Sequence, residues 1–227
     1  MKDRLRIPAA EDPQGILRPR QAAGEADAGC IGKPANEAGA EKTRGADPSG
    51  VLKRSFSPTG LFGKLPAHGD FIRRALPESF VSTWDEWAQA GMVDAKASLG
   101  EAFAETWEAA PAWRFRLPAG ACGPDAALGV ILPSQDLVGR RFPLVLATMA
   151  EAAPDEAFYA ALERIGRAAQ LDGETADALV AALPAALPGE SPPAYGWWRI
   201  EAGEALCWDL PGLPPATQFR VLLEGGA

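Results

Sequence analysis

The sequence predicts an α+β fold, a largely antiparallel central sheet flanked by helices. Three observations carry this reading. Apolar and aromatic positions recur every three to four residues between Phe80 and Trp107, the period switches to two at Trp113, and later apolar runs are short and bounded by glycine or proline. The implied order is strand, helices, strands, helices, strands, which favours an antiparallel sandwich over a doubly wound parallel sheet. With 227 residues and 47% hydrophobic content, the chain can bury a substantial core.

Residues 1–57 are rich in Ala, Gly, Pro and mixed charge and show no useful periodicity, so they are expected to be a disordered extension. A single domain is expected over residues 58–225, opening with a short strand in Gly60-Leu-Phe-Gly-Lys-Leu-Pro66. Pro77-Glu78 then starts a helix whose Phe80, Trp84, Trp87 and Gly91 share one face. Met92, Lys96, Leu99, Phe103 and Trp107 continue the stripe, with breaks or bends expected at Gly91 and Gly100. Trp113, Phe115 and Leu117 alternate with Arg114 and Arg116, the pattern of a half-exposed strand.

Ala127–Pro133 and Phe142–Met149 read as buried strands joined by Ser134–Arg141. Pro154-Asp-Glu opens a helix bearing Phe158, Leu162 and Ile165, and an Ala-rich helix is expected from about Glu174 to Leu183, ended by prolines. Tyr195–Ile200 and Ala205–Trp208 flank Gly203-Glu204 as a hairpin, and Phe219–Leu223 is expected to add a last short strand.

Formal charge is −8, divided as net +2 through Ser57 (ten basic, eight acidic) and net −10 beyond it (twelve basic, twenty-two acidic). An acidic domain is a poor partner for a phosphate backbone, so nucleic acid is not expected to bind. No apolar run reaches the roughly 20 residues of a spanning helix, and no signal-peptide pattern opens the chain, so a cytoplasmic location without membrane insertion is expected. Cys30, Cys122 and Cys207 lack metal-ligand or redox spacing and are expected as free thiols.

The residues offer four candidate chemistries. A phosphate loop at Gly60-Leu-Phe-Gly-Lys64 fails, because two residues rather than four separate the glycines and Leu65 follows the lysine. A hydrolytic triad would need His68, the chain's only histidine, with Ser134 and Asp70 or Asp136, yet Ser134 lacks a nucleophile-elbow motif and sits in a turn-like Pro-Ser-Gln-Asp segment. A metal site from His68, Asp70 and Asp125 or Asp136 has too few neighbouring ligands, and no cofactor is implied. The fourth is a charged recognition patch of Lys64, His68, Asp70, Arg73, Arg74, Asp136, Arg140 and Arg141. Its competing reading is internal pairing of Asp70 and Asp136 with these arginines to fix loop geometry.

Gly63-Lys-Leu-Pro-Ala-His-Gly-Asp-Phe-Ile-Arg-Arg74 resembles the opening signature of the TagF/ImpM proteins of type VI secretion. Trp84-Asp-Glu-Trp87, Pro111-Ala-Trp-Arg-Phe115, Gly120-Ala-Cys-Gly123 and Gly129–Leu144 follow in the family's order, and Trp197-Trp198 matches a later element. The resemblance implies a longin- or profilin-like layered fold. It further implies a post-translational negative regulator, not an enzyme, that contacts the forkhead-associated scaffold Fha or nearby inner-membrane components. The alternative function is a small hydrolase or phosphatase-like enzyme using His68, Asp70 and Ser134.

Overall fold

The computed structural model describes residues 20–21, 58–208, 210 and 212–225. The extension expected over residues 1–57 lies outside them except for Arg20–Gln21, which form a two-residue strand, β1. The remaining strands are β2 (Gly60–Gly63), β3 (Ile72–Arg74), β4 (Trp113–Leu117), β5 (Ala127–Leu132), β6 (Leu144–Met149), β7 (Gly196–Glu201) and β8 (Glu204–Trp208). They form one sheet in the order β1-β8-β7-β4-β5-β6-β2-β3, with every neighbouring pair antiparallel. The α+β class and the antiparallel sheet are as expected.

Both faces of the sheet are covered. Helices α1 (Glu78–Leu99), α2 (Phe103–Ala109) and α5 (Phe219–Glu224) supply one apolar layer, and α3 (Glu156–Asp172) and α4 (Ala176–Ala182) supply the other. Because side chains alternate along a strand, double coverage requires apolar residues at successive positions. Ile131, Val145 and Trp197 face the first layer, whereas Val130, Leu132, Leu146 and Trp198 face the second. This corrects the half-exposed reading of β4: Arg114 lies buried under α3, where Glu156 and Glu163 pair with it. A strand arginine imitates a solvent-facing residue when a helix brings matching acids to it, as α3 does for Arg114.

Helix α1 starts from Pro77 in extended conformation and ends at Gly100, whose φ of +54° lies where side chains are disfavoured. Its Phe80 stacks on Trp84, and Trp84 meets Trp87 edge-on and packs on the sheet, 5.1 Å from Phe115 and 6.2 Å from Trp197 between ring centroids. Gly91 does not break the helix. An added Cβ there would lie 2.4 Å from Cδ2 of Phe219, so this glycine lets α5 approach α1.

Two more expectations are corrected. Phe219–Leu223 is helix α5 rather than a strand, because its apolar side chains are used against α1 and α2. Ile72–Arg74, unassigned in the sequence, is the edge strand β3 beside β2. Of the cysteines, Cys122 is a buried free thiol pushed up to about 12 by burial, whereas Cys207 is in a disulfide, against expectation. Sequence spacing does not tell which sulfurs a fold brings within bonding distance. Cys30 lies outside the described residues.

The packing at Gly91 yields a signed expectation. In an exposed helix Gly→Ala stabilises by about 1 kcal/mol, but Gly91→Ala would drive a methyl into Phe219, itself held 5.2 Å from Trp87. We expect a net loss of roughly 1–3 kcal/mol in urea unfolding, with relief when Phe219→Leu is added.

Candidate interaction site

Two sequence segments, residues 63–74 and 129–144, meet at one end of the sheet. Strand β2 pairs with β6, which sets the loop after β2 beside the β5–β6 connection. Gly63 makes the approach possible: its φ is +131°, and an added Cβ would lie 2.1 Å from the Pro143 carbonyl oxygen. Ser134 Oγ then donates to the Lys64 carbonyl at 2.7 Å, and the Phe142 amide donates to the Ser134 carbonyl at 3.1 Å. The Leu137 amide donates to the His68 carbonyl at 2.8 Å, and the Arg140 guanidinium donates to the Gly69 carbonyl. The connection is therefore a braced hairpin, closed by an antiparallel bridge between Gln135 and Arg141.

Asp136 is the centre of the brace. Its Oδ2 accepts from Lys64 Nζ at 2.8 Å and from Arg140 Nε at 2.7 Å, while Oδ1 accepts from the Val138 and Arg140 amides at 3.1 and 2.9 Å. The Gly139 amide returns to the Asp136 carbonyl at 2.9 Å, making Asp136–Gly139 a four-residue turn with Asp and Gly at the positions such turns favour. Burial alone would raise the carboxyl, but Lys64, the two amides and the Arg140 guanidinium overcome it and hold the group well below the usual carboxylate range. Lys64 is buried with it, its ammonium 5.0 Å from the centroid of Phe71.

The eight residues singled out in sequence separate into two groups. Lys64, His68, Asp136 and Arg140 converge on the brace. Asp70, immediately after it, is exposed and accepts from the Phe71 amide at 2.8 Å. Arg73 and Arg74 lie on β3, where Arg73 pairs with Glu78 at the start of α1 and Arg74 Nε meets Asp177 Oδ1 at 2.6 Å. Hydrogen bonding to Arg74 holds the Asp177 carboxyl below its usual range. Arg141 pairs with Glu108 at 2.9 Å, toward α2. All four arginines thus have acidic partners, the internal-pairing arrangement, while their guanidiniums remain partly accessible.

Positions of the catalytic candidates follow from these bonds. His68 Nε2 accepts from the Ala176 amide at 2.9 Å, so its lone pair is committed to the first residue of α4. Ser134 Oγ is committed to Lys64, and the carboxylate of Asp136 to two cations and two amides. No group of three or more His, Cys, Asp or Glu able to hold a metal occurs among the described residues. No described helix is long and apolar enough to cross a membrane.

Sequence reading missed the apolar members of this site. Phe71 is 43% exposed although it stacks on Phe62 at a centroid distance of 5.9 Å and meets Phe142 edge-on at 4.8 Å. Leu137 and Val138 occupy the centre of the turn and are 68% and 70% exposed. The available signal was their place in Gln-Asp-Leu-Val-Gly-Arg, where Asp and Gly mark a turn whose middle is normally polar.

Fold and site together define a class: a three-layer α+β domain with an antiparallel sheet and a charge-braced hairpin at its end. The family model for the TagF N-terminal domain, type VI secretion system-associated, matches residues 60–190, and the chain belongs to that family. The crystal structure of PA0076 from Pseudomonas aeruginosa PAO1 is similar, with a TM-score of 0.63 and 30% identity over 74% of this chain and 95% of that one. Comparison with curated proteins gives no significant match.

The depressed Asp136 carboxyl fixes the sign of a pH effect. Its contribution to stability is fully present above the ordinary value of 3.8 and is lost as pH falls through that value toward the native one. Asp136→Asn is expected to be less stable than the wild type at pH 7, with the difference shrinking below about pH 4 as Asp136 protonates, while carboxylates that titrate in both proteins cancel. Urea midpoints from pH 3 to 7 measure this; a gap that stays constant would refute the assignment.

Proposed function

We propose that this type VI secretion-associated chain is a post-translational negative regulator that works in the cytoplasm by protein contact. Its expected partner is the forkhead-associated scaffold Fha or a neighbouring inner-membrane component. Family membership supports the link to the secretion system. Contact rather than turnover is supported by one observation: His68, Ser134 and Asp136 each use their reactive atoms to hold backbone or side chains in place. A base needs a lone pair within reach of a substrate proton, and a nucleophile needs an accessible oxygen. Repression needs neither, only a surface that competes for an assembly component.

The exposed pairs Arg73–Glu78 and Arg74–Asp177 suit that surface. Exposed ion pairs contribute little to folding, so an acidic partner can take over the guanidiniums without unfolding the domain. Arg73→Glu with Arg74→Glu is expected to weaken scaffold binding at least tenfold in calorimetry, with melting temperature changed by less than about 3 °C. Unfolding of this variant would make both arginines structural.

Genetics separates the regulator from its rivals. Deletion is expected to raise secretion and overproduction to lower it; loss of secretion on deletion would instead identify a structural subunit. His68→Ala is expected to retain repression, while abolition of repression in a folded, scaffold-binding protein would favour the hydrolase.

A further inference from the structure

The Asp136–Gly139 turn holds an arrangement that folding alone does not require. Turn centres are usually polar, yet Leu137 and Val138 stand there, each more than two-thirds exposed. Flexible loops hide such residues by collapse, but this turn is held by the Asp136 carboxylate, the His68 carbonyl and the Gly69 carbonyl. The two aliphatic side chains are therefore presented in a fixed position at little further ordering cost. Arg140 lies beside them with its side chain 61% exposed. Its Nε and Nη2 are bonded, whereas Nη1 makes no hydrogen bond among the described residues. Its acid, Asp136, is shared with Lys64, so this cluster carries one surplus positive charge next to the apolar tip.

We propose that Leu137 and Val138 form an apolar knob that inserts into a pocket of a folded secretion-system protein, with a carboxylate on the pocket rim meeting Arg140. The inference rests on the contact reading above and deepens it by assigning the anchor to the turn rather than to β3. A lipid surface is the less suitable occupant, because two aliphatic side chains bury little area and the chain carries a formal charge of −8.

The test places the photo-crosslinker p-benzoylphenylalanine at position 138 of the full chain, in cells with an intact secretion system. The same group at position 93, an exposed valine on α1, is the control. Thermal melts confirm that each protein folds. We expect position 138 to crosslink one secretion-system protein at least about tenfold above position 93, with mass spectrometry placing the bond in a peptide containing apolar and acidic residues. Adding Leu137→Ser should cut that yield several-fold. Equal yields at both positions, no protein crosslink, or attachment to lipid would overturn the knob. The outcomes also separate the two readings: a crosslink to a component that is neither the scaffold nor a neighbouring inner-membrane protein removes the named partners and keeps the knob. Scaffold binding in calorimetry with no crosslink at 138 does the reverse.

Discussion

The buried carboxylate of Asp136 is the constraint on which the hairpin end of the sheet depends. Taking a charge out of water is costly, and the cost is tolerated only where the charge is paired and hydrogen-bonded. Here the compensation comes from two places at once: Lys64, in the loop after β2, and Arg140 with two amides from the hairpin itself. Neither segment can move far without exposing or orphaning the other's charge. A pair that is neutral in net stability can therefore still decide which loop arrangement is populated. That is how a polar cluster specifies geometry where an apolar one would tolerate sliding.

The same logic places the glycines and prolines of the two segments. The charge network closes only if the backbone of 63–70 lies close to 142–144, and Gly63 admits the Pro143 carbonyl to a space a side chain would fill. Once that approach exists, Ser134 and His68 become cross-links: one binds the Lys64 carbonyl, the other the first amide of α4. Edge strand β3 is closed by related means. Arg74 Nη1 covers the Arg73 carbonyl at 2.9 Å while its Nε reaches Asp177, which hinders addition of another strand there.

Much of the fold was legible because it rests on short-range periodicity. The switch from helical spacing at Trp107 to alternation at Trp113 located α2 and β4, and glycine- and proline-bounded runs located β5 and β6. What failed depended on partners distant in sequence. Arg114 looked solvent-facing until α3 supplied Glu156 and Glu163, and Gly91 looked like a helix break until Phe219 was seen to need its space. Phe219–Leu223 is too short for periodicity to separate helix from strand, and packing against α1 decided it. At the site, the charged residues were recognised as a group, but their division into buried brace and exposed pairs was not. That division depends on which acid lies opposite each base, information held in the register of β2, β3 and β6.

Charge and apolar surface have different uses in a contact of this kind. Arg73, Arg74 and Arg141 already have carboxylates, so engaging a partner exchanges one ion pair for another, which favours orientation and selectivity more than affinity. Leu137 and Val138 face water, and burying a side chain of this size yields about 1.5–3 kcal/mol. Because the turn is braced before any partner arrives, little of that gain is lost to ordering the loop. The contact proposed here would need this combination: partner choice set by paired charges that can be traded, and residence time set by an apolar anchor held rigid. The buried Asp136 serves both, since the arginine that completes its hydrogen bonding is also the cation beside the anchor.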